Sequence, residues 1–177
     1  MALRPPQRGM NGQLSMRRAG LSDASRASEL ILQAKTYFRS HGIDMWQNGY
    51  PSESDIDADI AEGGAYVCMY QGTVVGYVYL HYGEEDCHRT IRGRWEDRNP
   101  AVFHRSVVDE SFKGLGIGKF MIGFAEDAAR AAGCTSMRTE TGEQNVVMRG
   151  LMHRLGYREA GIMTFDGSDK VAFEKML

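Results

Sequence analysis

The chain has 177 residues, 42% of them hydrophobic, enough for one domain with a substantial core. Its formal net charge of −2 gives no global attraction to nucleic acid or to an anionic membrane surface, and no apolar run approaches the ~18 residues of a membrane span. Cys68, Cys87 and Cys134 are scattered and odd in number, so they lack the paired short spacings of a zinc site and read as reduced thiols of a cytoplasmic protein with no metal.

In chain order, the start MALRPPQRGMNGQ is polar, contains proline and lacks the apolar stretch of a secretion signal. Residues 1–12 therefore read as a flexible leader, and 13–177 as a single domain. Leu14–Arg18 alternates as a first strand. Ser22 offers an N-cap for a helix with Ala27, Leu30, Ile31, Ala34, Tyr37 and Phe38 on one face. The loop-like segment DMWQNGYP follows, and Ser52 with Asp55 suits the start of a short second helix that carries Ile56 and Ile60 and stops at Gly63-Gly64. Ala65–Tyr70 and Thr73–Tyr82, joined at Gln71-Gly72, have hairpin spacing. Gly83–Pro100 is charged, with Trp95 its one large apolar side chain, and reads as a long loop of the functional or mobile kind.

Ala101–Val108 is the next strand. It breaks at Asp109–Ser111 and passes through Lys113-Gly114-Leu115-Gly116-Ile117-Gly118-Lys119 into a long amphipathic helix. Ile117, Phe120, Met121, Phe124, Ala125 and Ala128 fall at helical spacing and should form its buried stripe. A strand, a glycine-rich turn and a helix N-terminus in that order make an anion cradle. The first helical N–H groups have no internal partner, the helix dipole favours negative charge, and glycines keep side chains out of the way. A P-loop would need glycine at position 113 and Ser or Thr at 120, where Lys113 and Phe120 stand. A dinucleotide fingerprint would need GxGxxG rather than the GxGxG of Gly114, Gly116 and Gly118. Beyond the helix, Ser136–Thr141 reads as a strand and Asn145–Leu155 as a helix ended by Gly156. Tyr157–Phe165 and Lys170–Leu177 form two strands around an Asp166–Asp169 turn. The order is β-α-α-β-β-β-α-β-α-β-β.

Taken whole, VVDESFKGLGIGKFMIGFAEDAAR resembles the acyl-CoA-binding signature of the GNAT superfamily of N-acetyltransferases, with Lys113 where Arg or Gln is usual and Val107 where Ala is common. NVVMRGLMHRLGYREAGIM is similar to the family's second motif through Asn145, Gly156 and Tyr157, and AFEKML to its last strand. Trp46-Gln47 with Tyr50-Pro51 resembles a bacterial branch whose substrate is open. The resemblance implies an α/β fold with a central mixed sheet flanked by helices, in which the fourth and fifth strands splay apart and the pantetheine arm lies between them. The co-substrate is then acetyl-CoA, held at its phosphates by Lys113–Lys119. Backbone groups of Val107 and Val108 would pair with the pantetheine amides, and Asn145 would hydrogen-bond that arm. A helix-opening Asn is equally a good cap.

Direct acyl transfer needs a neutral amine, a polarised thioester and a proton for the thiolate. His104 is a candidate base, sharing a strand face with Ser106 and Val108 and matching the offset of a histidine in some arylalkylamine acetyltransferases; Glu140 on the next strand is the second candidate. Met152 stands where most of the family has a Tyr near the thiol, so the acid is unassigned and a sensor that binds acyl-CoA without turnover is the alternative. The acceptor is expected to meet Asp44, Trp46, Tyr50, Tyr82 and Glu84, with Glu85 beside it, a set of acids and aromatics suited to a cationic amine. Arg89, Arg92, Arg94 and Arg98 are interleaved with acids; they could meet an acidic substrate but make no nucleic-acid patch. The expected partners are acetyl-CoA and a primary amine, with no nucleic acid or membrane, for a monomer or homodimer.

Overall fold

The computed structural model describes residues 13–177, so the expected leader at 1–12 lies outside the described residues. The elements are β1 (Leu14–Arg18), α1 (Ala24–Ser40), α2 (Glu53–Ala61), β2 (Ala65–Tyr70), β3 (Thr73–Tyr82), β4 (Arg92–Gly93), β5 (Pro100–Val108), α3 (Ile117–Ala131), β6 (Ser136–Thr141), α4 (Val146–Arg154), β7 (Arg158–Phe165) and β8 (Ser168–Met176). They build one mixed sheet in the order β1-β2-β3-β5-β6-β8-β7-β4, in which β5 and β6 are the parallel pair. The α3 face buries Leu80, Phe103, Met121, Met137, Met152 and Phe173, and the opposite face seats Ala27, Leu30, Ile56, Val67 and Tyr77 under α1 and α2. This is the expected mixed α/β layering and element order, with the short β4 added.

Local chemistry accounts for most boundaries. Gln71-Gly72 and Asp166-Gly167 all have positive φ, the pairing that a two-residue type I′ hairpin turn requires. Ser52 Oγ accepts the Asp55 N–H while Asp55 returns a bond to the Ser52 N–H, so the expected cap of α2 is a reciprocal box. Ser22 does not cap α1. Asp23 takes the Gly20 N–H at 2.8 Å and pairs with Arg17 of β1, closing a 3-10 turn over Leu21–Asp23 ahead of the helix. A carboxylate with a cation in reach displaces the hydroxyl. In α3 the buried stripe is Ile117, Met121, Ile122, Ala125 and Ala129, while Phe120, Phe124 and Ala128 lie on its half-buried flank.

Gly83–Pro100 is packed rather than loose. It holds a 3-10 turn at Asp86–Thr90 and then β4, which pairs with β7 through Gly93 opposite Gly161. A Cβ on Gly93 would lie 2.1 Å from the Ala160 oxygen, so that edge admits only glycine. Trp95 donates to the His88 carbonyl and lies under the buried Arg138 guanidinium, 4.2 Å from the ring centroid.

Two departures from a regular sheet shape the centre. β5 and β6 pair only from Pro100–Val102 to Ser136–Arg138, and beyond that they part. These are the fourth and fifth strands of the sequence reading. Opposite β3, the register runs from Tyr77↔Val107 to Tyr79↔His104, so β5 carries one extra residue, and Arg105 takes φ +54° to absorb it. Arg105 is held there by a fork to Asp59, with Nε to Oδ2 at 2.7 Å, and by the Tyr79 ring 4.7 Å from its guanidinium carbon. Both partners of the ion pair are buried. Arg105→Ala is expected to leave Asp59 charged without its partner and to cost about 3–5 kcal/mol in urea unfolding. A loss below about 1 kcal/mol would mean that the pair does not brace the bulge.

Candidate active site

The parting of β5 and β6 opens a cleft of about 470 Å³ lined by Val107, Val108, Lys113, Gly114, Gly116, Gly118, Lys119 and Asn145, among others. Gly114 and Gly116 have φ of +77° and +83°, and a Cβ built on either meets no atom within 4 Å. Packing does not demand glycine at these positions. The left-handed backbone does. The first main-chain bond of α3 runs from the Phe120 N–H to the Gly116 carbonyl, which leaves the Ile117, Gly118 and Lys119 N–H groups without helical partners at the cleft. Leu115 instead packs against the core and anchors the turn. Lys113 pairs with Glu110 at 2.6 Å and covers the Tyr37 ring, and Arg154 from the last turn of α4 adds a cation that sequence reading missed. Asn145 is the N-cap of α4. Its Oδ1 accepts the Met148 N–H and its Nδ2 donates to Thr141 Oγ1, so both ends of the amide are engaged inside the protein.

A second, smaller cavity of about 70 Å³ adjoins the cleft between the same strands. Phe38, Ser106, Asn145 and Met148 line both, so the two spaces meet at Ser106. Met45 closes one side, its sulfur accepting the Gly142 N–H at 3.2 Å. Trp46, Tyr50, Phe165, His104, Arg105, Glu140 and Lys170 complete the walls.

His104 is flanked at both nitrogens: Nδ1 lies 2.9 Å from Glu140 Oε1 and Nε2 lies 2.7 Å from Glu85 Oε2. Its ring stacks on Phe165 at 5.4 Å. Burial by itself would lower the imidazole pKa, but the Glu140 and Glu85 carboxylates outweigh it and raise it to about 10. The same contact holds the Glu85 carboxyl below its usual range against the opposing effect of burial. Both carboxylates favour the protonated ring and each nitrogen is already engaged, so the geometry suits His104 to hold Glu140 rather than to take a proton from an amine. That arrangement runs against the expectation that it is the base. The expected shared face fails too, because the bulge reverses the alternation. His104 stacks near Tyr79 on the α1 side, where Val107 packs, whereas Val108 packs against the α3-side core.

A pH dependence follows from the raised value. The His104 contribution to stability is present in full below the unfolded pKa of 6.5 and is lost as pH climbs through about 10, provided the two carboxylates stay ionised. Chemical denaturation should show stability falling between those limits, and His104→Gln should flatten that fall. An identical slope in the variant would remove the charge from His104.

Glu140 is buried, and its Oε2 has no hydrogen-bond partner. Of the acceptor residues expected from sequence, Trp46 and Tyr50 line the small cavity, and burial pushes the Tyr50 phenol pKa up although Arg105 contacts it. Asp44, Tyr82 and Glu84 do not. The Asp44 side chain is exposed while its N–H donates to Gln144. Tyr82 pairs with Ala101 at the closed end of the sheet, because β3 runs antiparallel to β5. Glu84 turns out toward Arg138, and Glu85 is the acid that reaches His104. Met152 is fully buried in the α3-side core and lines neither space. Glu85, Ser106 and Lys170 complete the site. The sequence signal for Lys170 is a lone cation beside the apolar run Val171–Phe173.

Glu85, Cys87 and His88 bring three ligand-type atoms within 4.8 Å of one another. Burial and the nearby Glu85 raise the Cys87 thiol to about 12, and burial with Arg138 lowers His88 to about 4. Arg138 Nη1 stands 3.1 Å from His88 Nδ1, which sets a guanidinium against one member of the cluster and disfavours a second cation there.

The chain matches the Acetyltransferase (GNAT) family over residues 31–157. It is similar to a GNAT-family acetyltransferase of Streptococcus agalactiae at 27% identity, covering 93% of this chain and 95% of that one with a TM-score of 0.83. It also superposes on yncA of Salmonella typhimurium, solved with its cofactor acetyl-CoA (19% identity, 93% and 94% covered, TM-score 0.65). A third neighbour is the paia N-acetyltransferase of Thermoplasma acidophilum in complex with coenzyme A (18%, 93% and 99%, TM-score 0.70). No curated protein matches the chain. None of the described helices is long and apolar enough to cross a membrane. With the glycine cradle, the parted strands and the family match over most of its length, this chain belongs to the GNAT acetyltransferase family.

Proposed function

We propose that the protein is an acetyl-CoA-dependent N-acetyltransferase that moves the acetyl group directly to a primary amine of a small acceptor. The observation that carries this reading is the junction at Ser106. There a cleft suited to a phosphate-bearing arm meets a smaller cavity whose wall includes Glu140, a carboxylate with one oxygen that has no hydrogen-bond partner. Acetyl-CoA supplies the activated thioester. The free N–H groups of Ile117–Lys119 would hold its pyrophosphate, with Lys113, Lys119 and Arg154 supplying positive charge around it. The unpaired edge of β5 at Val107 and Val108 would take the pantetheine amides as an added strand would.

Glu140 is the base in this reading. Its Oε2 takes a proton from the amine, the amine nitrogen bonds to the thioester carbon, and the carbon–sulfur bond breaks with its electron pair on sulfur. His104 holds the other oxygen of Glu140 and is itself held by Glu85, so it positions the base. Ser106 is the hydroxyl at the junction and can donate a hydrogen bond to the departing sulfur, whose proton comes from solvent. Met152 is buried in the core, so the position that carries a tyrosine in much of the family supplies no proton in this reading. An acetyl-CoA-dependent screen over polyamines, arylalkylamines, aminoglycosides, amino acids and peptide N-termini tests the reading. Release of CoA with at least one class is expected; acetyl-CoA binding without transfer to any would leave a sensor.

A further inference from the structure

Among the described residues Arg138 and Lys170 are the buried arginine and lysine, and the Arg105 side chain is nearly so. Arg138 meets Glu174 and Arg105 meets Asp59. Lys170 is equally buried, yet among the described residues no carboxylate lies within 4.0 Å of it, and its ammonium makes one hydrogen bond, to Ser168 Oγ at 2.6 Å. Burying an ammonium without a counter-charge is costly, and such groups persist where something else compensates them. The matching acidic exception is Glu140 Oε2, which is buried and unpartnered. Both residues line the same cavity.

Register places them close without joining them. Glu140 lies opposite Ala172 of β8, so Lys170 is its diagonal neighbour on the same face. Such positions are about 7–8 Å apart, within reach of long side chains. The Lys170 ammonium nonetheless bonds Ser168 and pairs with no carboxylate among the described residues, so one small molecule can take the place between the two. The remaining charges around the space are matched: His104 sits between Glu85 and Glu140, and Arg105 is on Asp59. With Lys170 included, the wall is neutral overall, which favours a ligand with no net charge but two opposite ends. A volume of about 70 Å³ has room for a few heavy atoms, not for a polyamine or an aminoglycoside. Those ligands would also set further cations against Lys170.

We infer that the acceptor is a small zwitterion of the α-amino acid class, its amino group on Glu140 Oε2 and its carboxylate on Lys170. This rests on the acetyl-transfer reading for the fate of the amine, but the binding claim can be tested apart from it. The full chain, with coenzyme A present, is titrated by calorimetry with each of the common L-amino acids and with the α-amide of any that binds. At least one amino acid should bind, and its amide at least ten-fold more weakly. Lys170→Met, which removes an unpaired buried cation and should leave the fold intact, is expected to erase that difference, raising KM for the amino acid far more than it lowers kcat. Lys170→Arg should restore part of it. Equal binding of acid and amide, an undiminished preference in Lys170→Met, or no amino acid bound at all would overturn the inference. Acetylation of simple amines with no amino acid bound would leave the transferase standing without this acceptor. Lys170-dependent amino acid binding without acetyl transfer would do the reverse.

Discussion

Gly116→Glu is expected to abolish acetyl-CoA binding, with calorimetric affinity falling beyond detection while the protein remains folded. Two effects combine. The new carboxylate enters open space, since a Cβ at this position meets nothing within 4 Å, and so lands where the N–H groups of Ile117–Lys119 are exposed. It then competes for those donors and repels phosphate at the positive end of the α3 dipole. The backbone also resists any L side chain at φ +83°, at about 1–2 kcal/mol. Gly116→Ala separates the two, because it carries the strain without the charge. A comparable loss of thermal stability in both variants, with binding abolished only in the glutamate, is the expected pattern. Undiminished affinity in Gly116→Glu would remove the cradle from the mechanism.

Glu140→Gln should lower kcat by roughly 10²–10⁴-fold with acetyl-CoA affinity unchanged, the range that a positioned general base contributes. The side chain keeps its shape and loses its capacity to take a proton. The variant also withdraws one of the two carboxylates that hold His104 charged, so the imidazole should titrate at a lower pH, a change that NMR of the ring protons reads directly. A variant with near-normal turnover would return the search for a base to the His104 neighbourhood. A lowered kcat with an unmoved imidazole would separate catalysis from the ion-pair network.

The fold was legible because its determinants are local. Alternation marks β1, the β-rich runs on either side of Gln71-Gly72 mark β2 and β3, paired turn residues mark both hairpins, and Ser52-x-x-Asp55 announces α2. The glycine cradle was legible for the same reason: its function is written in backbone chemistry and needs no distant partner. The acceptor side was read less well. Asp44, Tyr82 and Glu84 have suitable charge or aromaticity near the right segments, but Tyr82 falls at the closed end of the β3–β5 pairing, and Glu84 differs from Glu85 by a single step of a loop path no pattern encodes. The state of His104 depends on Glu85 and Glu140, nineteen and thirty-six positions away in the chain. Charge compensation of that kind exists only once the strands are assembled.

The extra residue at Arg105 decides which residues of β5 face α1 and which face α3. A single deletion there would straighten the strand while Val107 kept its place opposite Tyr77 and His104 its place opposite Tyr79, so only the Arg105 side chain would leave the small cavity. Keeping the residue but losing the bulge would instead turn Val107 to the side now held by Val108. Specificity in this architecture can change by the count of residues in one strand, with no change in their kind.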